Sequence, residues 1–275
     1  MPGGAVCPGS SAAVTSTMES RMLQLVIQYD GARFFGWQRQ LRVRTVQGVL
    51  EDAMERLCGT HISVLGAGRT DARVHALGQV AGVRVAPRWS ACEMMRALNA
   101  LLPRDVRVSS CCEMRQDFHA RYSALSRSYR YLVGTDEDAG SPFRNSRELV
   151  WRRPIDRALL DSAAALIVGD HCFRGFAVKG TAPASDNHRC IVRSASWVER
   201  AGGLAFVVTA NRFLHHMVRF LVGSMLDIAA GRKEPGLISS LLASGDNSTV
   251  SPPAPAHGLY LESVEYPQEL YLVDA

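Results

Sequence analysis

The chain has 275 residues, 47% of them hydrophobic, with a formal net charge of +5 and an isoelectric point near 8.9. That is enough apolar content for one large domain or two small ones, with a basic bias compatible with a nucleic acid partner but not demanding one. No apolar run reaches transmembrane length without a charge, and the seven cysteines, odd in number and without a C-x-x-C pair, argue against a disulfide framework or zinc site and for a reducing compartment.

Of the 31 basic residues only Lys179 and Lys233 are lysines. An arginine excess suits bidentate recognition of phosphate and bases; a codon bias that also favours Ala, Gly and Val accounts for it equally well. Histidine, present eight times, shows no H-E-x-x-H pattern. Residues 1–20 are mostly small and polar and carry no Lys or Arg, unlike a secretory signal or an Arg-rich transit peptide. They are predicted to be a disordered tail, with Met18 and Met22 as alternative starts.

"LQLVIQY" alternates Leu23, Leu25, Ile27 and Tyr29 against Gln24, Val26 and Gln28, the pattern of a half-buried strand closed by the turn pair Asp30-Gly31. "TVQGVLEDAMERLCG" repeats Val46, Val49, Leu50, Ala53, Met54 and Leu57 at helical spacing and stops at Gly59. Strands are predicted near 62–67 and 78–85. "SACEMMRALNALLP" follows as a helix with a Ser90/Glu93 capping box and Pro103 beyond its end. "VRVSSCC" completes a βαββαβ order, the split βαβ plan of ferredoxin-like folds.

The second half repeats the plan without repeating the sequence. "SYRYLVGT" is a strand, and "DRALLDSAAALIVG" a helix capped by Asp156. "CIVRSASWVER" and "LAFVVTA" form a hairpin across Ala201-Gly202-Gly203. A long helix starts near Asn211, a short one covers 235–243, and "LYLESVEY" is the last strand. The fold class is α/β, of the α+β kind. It consists of two ferredoxin-like units with mainly antiparallel sheets, residues 21–116 and 117–275, flanking a central cleft. On the long helix Phe213, Leu214, Met217, Leu221, Met225 and Ile228 share one face, while Arg212, His215, His216 and Arg219 share the other. That second face reads as an ordinary solvated surface or as a basic wall of the cleft.

"GAGRTDARVHA" (66–76) sets one acid, Asp71, between Arg69 and Arg73 directly after an apolar run. Three readings compete. The carboxylate is held by an arginine in a turn; or Asp71, His75 and His119 form a metal or hydrolase site; or Asp71 is a nucleophile with cations beside it to favour the charged form. The D-x3-H spacing is weak evidence for a metal, and a glycosidase needs a second carboxylate that the neighbourhood lacks. If the segment is extended, residues i and i+2 point the same way, so Arg69 is expected to share a side with Asp71. None of this names a substrate.

"GRTDARVHA" resembles the GRTDxGVHA signature of the TruA-type tRNA pseudouridine synthases, and further blocks resemble that family in the same order. They are "YDGARFFGWQRQ" (29–40) followed by "TVQGVLEDA", "DFHARYSALSRSYRY" (117–131), "NRFLHHMVRFLVGSM" (211–225) and "APAHGLYL" (254–261). The resemblance covers roughly residues 22 to 267. It implies an isomerase that converts uridine to pseudouridine in the tRNA anticodon stem-loop, at tRNA positions 38, 39 and 40. The target nucleotide would flip out of the stem into the cleft. It places Asp71 at the catalytic aspartate and Arg69 at the arginine that pairs with it. Tyr129 falls at the aromatic residue that packs on the target base, and Arg219 at the basic residue near the carboxylate. Arg73, Arg121 and His216 are candidate RNA contacts. The resemblance implies no metal and no cofactor, a homodimer crossed by the RNA, no membrane, and a cytoplasmic location, or an organellar one for a eukaryotic source. The chain departs from the family at Arg73, where the family has Gly, and at His215, where Arg is frequent. Two outcomes follow for Arg73: strain if φ is positive, or, as the run into "VHALGQVAGV" favours, an extended residue facing the same side as Asp71. The rival from another class is a catalytically idle tRNA-binding or folding protein, which would keep Arg69, Tyr129 and the basic cleft but could lose the acid.

Overall fold

The computed structural model describes residues 20–181 and 185–272; the predicted tail, but for Ser20, lies outside them. Strand β1 (Arg21–Tyr29) points Leu23, Leu25, Ile27 and Tyr29 into one core, as the alternation requires. Helix α1 (Val46–Cys58) opens on Thr45, whose side chain accepts the Gly48 N–H, and closes on Gly59 in the left-handed region at φ 71. Strand β3 (His75–Val85) follows, then α2 (Ala91–Leu101) with the Ser90/Glu93 capping box formed in both directions, then β4 (Val106–Met114).

The strand predicted at 62–67 shrinks to β2 (Leu65–Gly66). Side chains of α1 take the place of a neighbouring strand. Val64 N–H donates to Glu51 Oε1 at 3.3 Å, and Gln47 Nε2 donates to the Val64 carbonyl at 3.1 Å.

The second half runs β5 (Ser126–Gly134), β6 (Leu149–Val150), α3 (Arg157–Leu166) capped by Asp156, and β7 (Gly169–Cys172). The hairpin β8 (Arg189–Arg200)/β9 (Gly203–Ala210) follows, then α4 (Met217–Ala229), α5 (Leu237–Ser244) and β10 (Leu259–Glu265). All ten strands of the described residues join one mainly antiparallel sheet, ordered β4-β1-β3-β10-β5-β9-β8-β7, with β2 on β3 and β6 on β5. The last strand makes the join. β10 lies parallel to β3 (Tyr260↔His75) and antiparallel to β5 (Leu259↔Tyr131), so it seams the two sets of strands together.

Helices α1 and α2 pack Leu50, Met54, Met94 and Leu98 on the first set of strands. On the second, α3, α4 and α5 pack Leu160, Leu221, Met225 and Ile238. Met22, Val80, Met114, Phe118 and Tyr266 form a smaller third cluster. The long helix starts at Met217 rather than near Asn211. His216 sits at φ 62, a left-handed conformation that an α-helix cannot run through, so residues 211–216 are a non-helical lead-in.

Candidate active site

Asp71 sits on the loop between β2 and β3, and the segment 29–37 forms the bed of that loop. Trp37 N–H donates to the Thr70 carbonyl at 3.0 Å, and Arg73 N–H donates to the Phe34 carbonyl at 3.1 Å. Thr70 Oγ1 lies 2.7 Å from Tyr29 Oη, and Gly31 N–H donates to His75 Nδ1 at 3.1 Å. Two glycines allow this approach. A Cβ on Gly31 would lie 2.1 Å from the Val74 carbonyl oxygen, and one on Gly36, at φ 91, would lie 2.7 Å from the Thr70 oxygen. The "YDG" and "GW" elements of the sequence are thus the support of the acid's loop.

The carboxylate looks across to the start of α4. Arg219 Nη1 donates to Asp71 Oδ2 at 3.1 Å, and the same arginine's Nε donates to the Ala254 carbonyl at 2.7 Å. His216 Nε2 lies 3.2 Å from Oδ2 and His215 Nε2 3.4 Å from Oδ1. Arg219 is held on two sides, and a charge-assisted bond from a fixed guanidinium aims the carboxylate. Burial pushes His216 below the ordinary imidazole value, against the charge of Asp71 and with those of Arg219 and His215. Burial pushes the Tyr129 phenol up, and the charge of Asp71 adds to the shift. The Tyr129 ring meets Phe213 edge-on with centroids 5.0 Å apart and touches both large cores, at the seam of the sheet.

The structure corrects three expectations. Arg69 does not pair with Asp71: its Nε donates to Gln38 Oε1 at 3.1 Å, and the acid's ion pair is with Arg219, with the imidazoles of His215 and His216 beside it. A turn follows the acid at residues 72–73, closed by Val74 N–H on the Asp71 carbonyl at 3.2 Å, so the segment does not stay extended into β3. For the same reason Arg73 is not extended. Its φ is 67, the left-handed region, and its side chain is exposed. Burial, with Arg73 and Arg219 nearby, holds His257 below the ordinary imidazole value. Nor do the basic residues of 211–219 line one helix face. Arg212 pairs with Asp186, while His215 and His216 reach Asp71 from the turn before α4.

Arg121 lies exposed on the 117–125 segment, its guanidinium 5.6 Å from the centre of the Tyr122 ring, and makes no contact with Asp71. His75 Nδ1 accepts from Gly31 N–H with Asp30 Oδ1 3.1 Å away, and its ring stacks on Tyr260, while His119 accepts from the N–H groups of Arg121 and Tyr122, so neither joins Asp71 in a metal site. The donor atoms of Asp71, His215 and His216 do converge within 4.8 Å of one another, but Arg219 on the same carboxylate opposes a cation there. Sequence reasoning missed His215 as a neighbour of the acid; the paired histidines just ahead of Arg219 were the available signal.

A family model described as tRNA pseudouridine synthase matches residues 25–123 and 163–267. The chain is 40% identical over 251 residues to tRNA pseudouridine synthase A of Roseiflexus sp. (strain RS-1), covering 90% of this chain and 92% of that protein. It is 38% identical over 248 residues to the protein of that name from Exiguobacterium sibiricum, covering 90% and 98%. A third, from Aeromonas salmonicida, is 38% identical over 259 residues, covering 91% and 92%.

Proposed function

The chain belongs to the tRNA pseudouridine synthase family, and from that premise we propose that it isomerises uridine to pseudouridine in the anticodon stem-loop of tRNA, at positions 38 to 40, with Asp71 as its one catalytic carboxylate. The observation that carries this reading is the bond from Arg219 Nη1 to Asp71 Oδ2 at 3.1 Å, flanked by His215 and His216. It gives a single partly exposed acid a fixed direction at the seam of the sheet, beside an aromatic ring, Tyr129.

The reaction breaks the N-glycosidic bond, turns the uracil and bonds C5 to C1′. Its atoms balance within the nucleotide, so the chemistry asks the protein for positioning and for one group that labilises the bond. A base within a stem is reached by extruding the nucleotide, which costs a few kcal/mol of unstacking. Tyr129 offers the flipped base an apolar surface, and Arg219 keeps the carboxylate aimed while the base turns. The exposed arginines Arg69, Arg73 and Arg121 are positioned to contact phosphate around the opening, and His216 meets the nucleotide from the α4 side. The active form is a homodimer, with RNA spanning both copies.

The test is mapping of pseudouridine in anticodon-stem RNA after incubation with the purified protein and with Asp71→Ala. The parent should convert the stem uridines. The variant should lose turnover while its affinity for tRNA stays within a few-fold. Turnover retained by Asp71→Ala would sink the assignment of the acid.

A further inference from the structure

Arg127 is a half-buried cation with no carboxylate partner among the described residues. Burial pushes its guanidinium below the ordinary arginine value, and the charged groups around it are the cations Arg121 and Arg212. An arginine stays protonated in a protein, and an unpaired charge taken out of water is costly unless hydrogen bonds replace the water. Here four main-chain carbonyls replace it. Nη1 donates to Asn211 at 2.8 Å and to Ala124 at 3.4 Å; Nη2 donates to Arg121 at 2.7 Å and to Ala67 at 3.1 Å.

Those carbonyls belong to three segments that meet at the site. Ala67 opens the loop that carries Asp71 and is tied to β3, its N–H donating to the Val80 carbonyl at 2.7 Å. Asn211 opens the lead-in to His215, His216 and Arg219 and is tied to Ile191 of β8 through both its N–H and its Oδ1. Ala124 and Arg121 lie on the 117–125 segment. Each end is therefore fixed on its own half of the sheet. Among the described residues, the hydrogen bonds and ion pairs joining the Asp71 loop to the 211–219 segment are those of Asp71 itself and those of Arg127. The residue also shares a strand face with Tyr129 and Tyr131 by alternation. Tyr131 Oη donates to the Pro255 carbonyl at 2.8 Å, beside the Ala254 carbonyl that holds Arg219.

We propose that Arg127 is a positioning residue that sets the distance between the Asp71 loop and the Arg219 segment, and so the aim of the carboxylate, without touching the RNA. With its four Nη bonds directed at carbonyls, the guanidinium presents no free fork to a phosphate. The proposal rests on Asp71 being the catalytic acid. A misplacement of about 1 Å costs roughly 100-fold in rate, whereas RNA contacts made elsewhere are left alone.

The experiment is single-turnover pseudouridine formation at saturating protein, with tRNA affinity and thermal unfolding measured alongside, for Arg127→Lys and Arg127→Ala. Lysine keeps the charge but not the planar fork that spans the carbonyls. The expected result for Arg127→Lys is a rate lowered on the order of 10- to 100-fold, with affinity within about three-fold and unfolding still cooperative. Methylguanidinium added to Arg127→Ala should restore part of the rate, which a merely structural defect would not allow. A saturating rate within about two-fold of the parent in both variants would overturn the proposal, and so would a loss confined to affinity. Collapse of the fold in both would overturn it too, because the role would then be general stability. Failure of the underlying reading looks different: Asp71→Ala would itself turn over.

Discussion

Arg73→Gly tests the strain at the residue two places after the acid. Arg73 holds φ 67, where a Cβ costs on the order of 1–2 kcal/mol. Its backbone is held there by its own N–H on the Phe34 carbonyl at 3.1 Å and by Val74 N–H on the Asp71 carbonyl at 3.2 Å. The side chain is exposed and makes no hydrogen bond or ion pair with the described residues, so deleting it removes little from the folded state. Glycine gives back the strain but frees the unfolded chain, an opposing term of about 0.4–1 kcal/mol. The net is a gain of roughly 0.5–1 kcal/mol, or about 1–3 °C in Tm for a chain of this size. Arg73→Ala is the control, because it removes the guanidinium and keeps the Cβ. Differential scanning fluorimetry and tRNA binding, run together on parent, Ala and Gly, separate the two effects. Tm should rise in Gly alone, while affinity for tRNA falls equally in both if the guanidinium meets phosphate. A Tm for Arg73→Gly at or below that of Arg73→Ala would refute the strain argument.

Affinity for tRNA should fall steeply with salt, since each neutralised phosphate releases condensed counterions; a flat log–log plot would count against a phosphate-tracking cleft. Stability should fall as pH drops below 6.5, the ordinary imidazole value. Burial, the largest cause in each case, holds His75, His216 and His257 below the ordinary value of 6.5. The unfolded chain therefore binds more protons in the window that opens at 6.5 and extends down to the folded values, and folding loses free energy there as pH falls. Tm measured against pH should show this, and His75→Gln should flatten it; a Tm that stays level or rises on acidification would contradict it. Light scattering at working concentration should give twice the 30.0 kDa chain mass, and a monomer mass that persists with RNA bound would rule out the dimer.

Local pattern in the sequence was sufficient for whatever depends on neighbours along the chain. The period-2 run of β1, the Ser90/Glu93 box, the Asp156 cap and the Gly59 stop all form as read, because each is closed within a few residues. The motif around Asp71 was legible as a place for chemistry. What the acid faces was not. An extended reading of 66–76 put Arg69 beside it, but the loop is bent over Gly31 and Gly36, and Arg69 turns to Gln38. The residues that do meet the carboxylate come from the far half of the chain, and only packing of the two halves brings them in. His216 stops the helix short of Asn211 through a backbone angle that no periodicity reports. The seam depends on β10, a strand that reads like any other half-buried strand in sequence. Pairing across distant segments decides that it lies between β3 and β5 and so brings Asp71, Tyr129 and Arg219 together.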